Sequence, residues 1–180
     1  MVTNSDSENI NETDETEELL EENKALRANE IIKNSVIASM GVGAIPIPVV
    51  DVVGLTGIQL NMIHNLCELY EQEFSKTLGK SFVASLAGSL GAVPLAATMA
   101  SLIKAIPFVG SSIGMVSMPV IGGSSTYAIG KVFVQHFESG GTFLDFNPSK
   151  VKEYLKEQFS NGKDVAQNLN TENNTESVKN

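Results

Sequence analysis

The sequence predicts an all-α bundle built around one or two apolar helical hairpins rich in Gly, Ala and Ser, with disordered polar tails. Three observations carry this. Apolar residues recur at helical steps of three and four through much of the chain. Residues 81–103 and 105–130 form two segments of 23 and 26 residues without a charged side chain, separated only by Lys104. No run alternates with the period of two that a half-buried strand requires; Thr142-Phe143-Leu144 is β-like but too short.

The first helix is expected from Glu15 to about Gly41. Thr13 or Asp14 can cap it, Glu17 and Glu18 suit the positive end of the helix dipole, and Leu19, Leu26, Ile32 and Val36 form a partial apolar stripe. Pro46 and Pro48 must break it. A second, amphipathic helix runs from Pro48 or Val49 to about Phe74, with Leu55, Ile58, Met62, Leu66 and Leu69 on one face. The uncharged hairpin follows at about 81–130, with its turn marked by Lys104, Ile106-Pro107 and Gly110. An amphipathic stretch (Val132, Phe133, Val134, Phe137) then breaks at Gly140-Gly141. Asn147-Pro148 supplies an N-cap and first-turn proline for a last short helix through Val151, Leu155 and Phe159, ending near Asn161-Gly162.

The chain has 180 residues and a formal charge of −9, held unevenly. Residues 1–22 contain nine acids and no Lys or Arg, so the remainder is neutral. Residues 1–14 and 162–180 hold too little apolar surface to offset the entropy of ordering them, and are expected as disordered tails around a single domain at 15–161. The acidic arm reads first as a solubilising tail and alternatively as a partner-binding one. The single Cys67 excludes an internal disulfide framework. No signal peptide is visible at the N-terminus. With no Trp and no basic stripe interleaved with aromatics, nucleic-acid binding is not expected.

Each uncharged segment has the roughly 20 residues that a bilayer crossing needs. Residues 81–103 include eight Leu, Ile, Phe or Val, worth on the order of −2 to −5 kcal/mol towards insertion. Serines, glycines and Pro94 offset this, but two helices can shield each other's polar atoms. The small-x-x-x-small pairs Ala84/Gly88 and Ala87/Gly91 suit close hairpin packing and also offer an oligomerisation face. The expectation is therefore a transmembrane hairpin, with a soluble bundle burying the same residues as the alternative. Lys76, Lys80 and Lys131 outside the hairpin against Lys104 at its turn place both ends in the cytoplasm of a bacterial cell. Residues 35–50 and 52–67, interrupted by Asp51, are short for crossing and read as a re-entrant or packed pair.

Motifs for catalysis are missing, and no enzyme activity or cofactor is expected. Leu78-Gly79-Lys80-Ser81 ends like a P-loop, but Phe74 stands where its first glycine belongs, so no phosphate cradle can form. His64 and Cys67 share a helical spacing, yet zinc needs three or four ligands and only His136 remains as a further His. Asp51 reads as a first-turn acid favoured by the helix dipole, or else as an interfacial acid that pairs with a partner.

The run Ile45-Pro46-Ile47-Pro48-Val49-Val50-Asp51-Val52-Val53, then Leu55-Thr56-Gly57-Ile58-Gln59-Leu60-Asn61-Met62-Ile63, resembles a YcjF-like, GTPase-associated bacterial domain family of unknown function. The small-residue hairpin from Ser81 and the Phe137, Gly140, Gly141 pattern extend the resemblance over about residues 28–145. It implies membrane association and a role beside a GTPase, which here would be a separate protein. It carries no catalytic residues. Asp51 and Gln59 are the polar positions that this run offers to a partner or interface. The function expected is a noncatalytic membrane-associated module; a pore-forming hairpin protein and a soluble helical adaptor are the alternatives.

Overall fold

A computed structural model describes the backbone of residues 5–43, 48–90 and 110–177, and the side chains of 18–42, 53–90 and 118–172. Within them the chain is helical: α1 (Ser5–Gly43), α2 (Pro48–Leu69), α3 (Lys76–Leu90), α4 (Gly110–Glu138) and α5 (Lys152–Ser177). The all-α class holds.

Close approaches between backbones fix the directions of the helices. Val42 of α1 meets Gly54 of α2, so these two form an antiparallel hairpin after the proline break. Ser39 lies against Gly122, and Ile32 against Gly130, so α4 runs antiparallel to α1. Ser124 lies against Gly162, and Gly123 against Ala166, so α5 runs antiparallel to α4. α4 is the central helix, with Val120, Ala128, Ile129, Val132, Phe133, Val134 and Phe137 all buried. Around it, Ile32, Val36 and Met40 of α1, Met62, Ile63 and Leu66 of α2, Val83, Leu86 and Leu90 of α3, and Leu155 and Ala166 of α5 close the core.

Glycine sets the tightest contacts. A Cβ on Gly130 would sit 2.7 Å from Ile32 Cγ1, and one on Gly123 would sit 2.9 Å from Met40 Cγ. On Gly162 it would meet the Ser124 backbone at 3.0 Å. The small residues that let helices touch are thus on α4 and α5. The positions expected to do so on α3, Ala84, Ala87 and Gly88, are exposed, and Gly91 lies outside the described residues, as does the expected hairpin turn.

The helix ends differ from the sequence reading for identifiable reasons. α2 stops at Leu69, short of Phe74, in a left-handed cap. Glu71 takes φ 55°, while its N–H and that of Gln72 reach back to Glu68 O (3.3 Å) and Cys67 O (2.7 Å). Glutamate gives no signal for such a cap. The same motif closes α4 at Gly140 (φ 80°), where glycine does. Ser75 caps α3 through Leu78 N–H. Asn147 caps the turn feeding α5 through Ser149 N–H at 3.0 Å. α1 begins at Ser5 and α5 continues to Ser177. The expected domain limit at 161 falls inside α5, because Gly162 and Ala166 pack on α4 and Leu169 joins the core edge.

Among the described residues no helix is long and apolar enough to cross a membrane; residues 91–109, which hold much of the expected hairpin, lie outside them. α4 has length, but Ser111, Ser112, Ser117, Ser124, Ser125, Thr126 and Pro119 dilute its apolar character. Its described side chains are mostly spent on α1, α2 and α5. A charge-free segment is equally the signature of a helix surrounded by protein.

Candidate functional site

The two ends of the bundle differ in charge. One end is made by the C-termini of α1 and α5, the latter bringing Glu172 and Glu176, and the N-termini of α2 and α4. Residues 34–43 of α1 and 110–130 of α4 carry no Asp, Glu, Lys or Arg, and Pro48–Cys67 of α2 carries only Asp51. On α4 the uncharged stretch extends about 30 Å at 1.5 Å per residue. Three large apolar side chains are exposed there: Ile37 (39 %), Val53 (68 %) and Met118 (46 %). The cross-helix levels put Val53 beside Val42 and Met118 about one turn beyond Ser39, with Ile37 about 9 Å below, while α2 and α4 continue past them to Pro48 and Gly110.

Beneath this end lies a buried polar seam. Ser39 Oγ and Thr126 Oγ1 are 2.7 Å apart and share a hydrogen bond between α1 and α4. Gln59 of α2, only 2 % exposed, donates from Nε2 to Thr126 Oγ1 at 3.3 Å and to Ser125 Oγ at 3.4 Å. Ser124 donates to Val120 O one turn back. Among the described residues every buried side-chain nitrogen or oxygen has a partner. Buried and satisfied, the seam fixes the register of three helices. Gln59 is thus brought to the core and away from any surface. Asp51 falls in the first turn of α2, with its backbone at the uncharged end. The groove between α1 and α2, about 510 Å³, is lined by Asn34, Ser35, Ala38, Gly54, Gly57 and Asn61 among others and is open to solvent.

The opposite end is charged and aromatic. Phe143 and Phe146 of the segment between α4 and α5 insert beside Phe133, with ring centroids 5.9 and 4.3 Å away. His136 holds this segment: its Nε2 lies 2.9 Å from both Thr142 O and Asp145 Oδ1. Its ring packs on Gly141, where a Cβ would come within 2.3 Å. Thr142 N–H donates to Asp145 at 2.9 Å and, with His136, holds the Asp145 carboxyl below its ordinary range. This pair clamps a turn. Sequence reasoning missed it, since Asp145 is nine residues from His136 and becomes its neighbour only through the Gly140 cap.

The decoy motifs sit in structural roles. Gly79 is buried in α3, where a Cβ would lie 3.0 Å from Leu60, and the Lys80 beside it is exposed. His64 is on the outer face of α2, edge-on to Phe74 at 4.9 Å, while Cys67 is fully buried with its thiol pushed up to about 12. Among the described residues no three His, Cys, Asp or Glu cluster as metal ligands.

The family model described as a domain of unknown function, DUF697, matches residues 8–164. Magnetosome membrane protein 22 of Magnetospirillum gryphiswaldense is 46 % identical over 144 residues, which cover 78 % of this chain and 73 % of that protein. No solved structure matches. The match runs from the acidic arm into α5, and the chain belongs to the DUF697 family.

Proposed function

We propose that this chain is a noncatalytic helical module that docks on a bacterial membrane through the uncharged end of its bundle and there engages a protein partner. The observation that carries the reading is the partition of charge along α1, α2 and α4: at this end the three hold one acid between them and expose Ile37, Val53 and Met118, while the charged residues of α1 and α4 stand towards the other end. Water and a soluble partner's polar rim place no such premium on removing charge, whereas hydrocarbon does. The name of the magnetosome relative, a membrane protein, supports it. So does the resemblance to GTPase-associated domains, which makes a separate GTPase the first partner to test. Asp51, in the first turn of α2, is the acid of that helix that a protein partner would meet at this end.

Fractionation of expressing cells tests the reading. The chain should sediment with membranes, resist washing in high salt, and be released by mild detergent. Pull-down from that extract, identified by mass spectrometry, then tests the partner. The burial of α4's glycines and serines inside the bundle favours a second reading, a soluble adaptor. Recovery in the supernatant after high-speed centrifugation without detergent would establish it and remove the first.

A further inference from the structure

We draw no further inference here: the strongest candidate, the surface patch on the N-terminal half of α1 where exposed Leu19, Leu20 and Leu26 stand beside the acids of residues 1–22, is an unpartnered helix face, and nothing in the structure shows what covers it.

Discussion

Gly130 offers the sharpest test of the packing. Two opposed effects act on Gly130→Ala. Alanine in a helix interior is favoured over glycine by about 1 kcal/mol. The new Cβ, however, would lie 2.7 Å from Ile32 Cγ1, 3.0 Å from Ile32 Cδ1 and 3.1 Å from Met62 Sδ. Met62 can yield, but the Cγ1 of a β-branched, fully buried isoleucine cannot move without α1. Overpacking of this kind costs about 1–3 kcal/mol. The net is a loss of about 0–2 kcal/mol. Gly57→Ala supplies the reference: Gly57 is also inside a helix, but a Cβ there meets nothing within 4 Å, so only the gain of about 1 kcal/mol remains. The two variants should therefore differ by about 1–3 kcal/mol in urea unfolding, which for a domain of this size is roughly 2–12 °C in melting temperature. If Gly130→Ala stabilises the protein as much as Gly57→Ala, α4 does not seat on α1 as described.

Three further outcomes follow from other parts of the structure. Gln59→Ala should destabilise by about 1–3 kcal/mol, because it leaves the Ser125 and Thr126 hydroxyls without their Gln59 donor, and Thr126→Val should be non-additive with it in a double-mutant cycle. Deleting residues 1–14 should leave the melting temperature unchanged, whereas ending the chain at residue 161 should lower it by several degrees, since Ala166 and Leu169 then leave the core; equal effects of the two truncations would contradict the extent of α5. The Asp145 carboxyl titrates below its ordinary range, so its contribution to stability is complete above about pH 5 and disappears as pH falls through its folded value. Asp145→Asn should accordingly lower stability above about pH 5 and flatten the acid limb of the unfolding profile below about pH 4; an unaltered profile would show that the clamp does not form.

The fold class and the order of the helices were legible in the sequence, because proline breaks and helical periodicity are local signals. Pro48 begins α2 and Gly140 ends α4 as read. The end of α2 was not legible, since Glu71 adopts a left-handed conformation that its side chain does not advertise. Over 105–130 the absence of charge does not by itself distinguish lipid from protein as the surrounding medium. The signal that decides lay in the glycines: Gly123 and Gly130, seven apart on one face of α4, are the positions where α1 and α5 come close. Ala84 and Gly88, four apart in α3, lie on an exposed face. A small-residue pair therefore permits contact without dictating it. Of the polar positions singled out, Gln59 belongs to a buried seam that only the tertiary arrangement assembles, and the His136–Asp145 clamp depends on a turn that brings them together.

The central claim is that the uncharged end meets the membrane, and a depth probe tests it most directly. The chain has no tryptophan, so one introduced residue reports alone. Val53→Trp places it near the uncharged end, and Leu144→Trp places it at the charged end, both at exposed positions. On addition of phosphatidylcholine vesicles, the emission of the Val53→Trp chain should shift to the blue and be quenched by lipids brominated along their acyl chains, while that of Leu144→Trp stays unchanged. Unshifted emission from Val53→Trp in vesicles that bind the protein, or quenching at Leu144→Trp instead, would contradict the account.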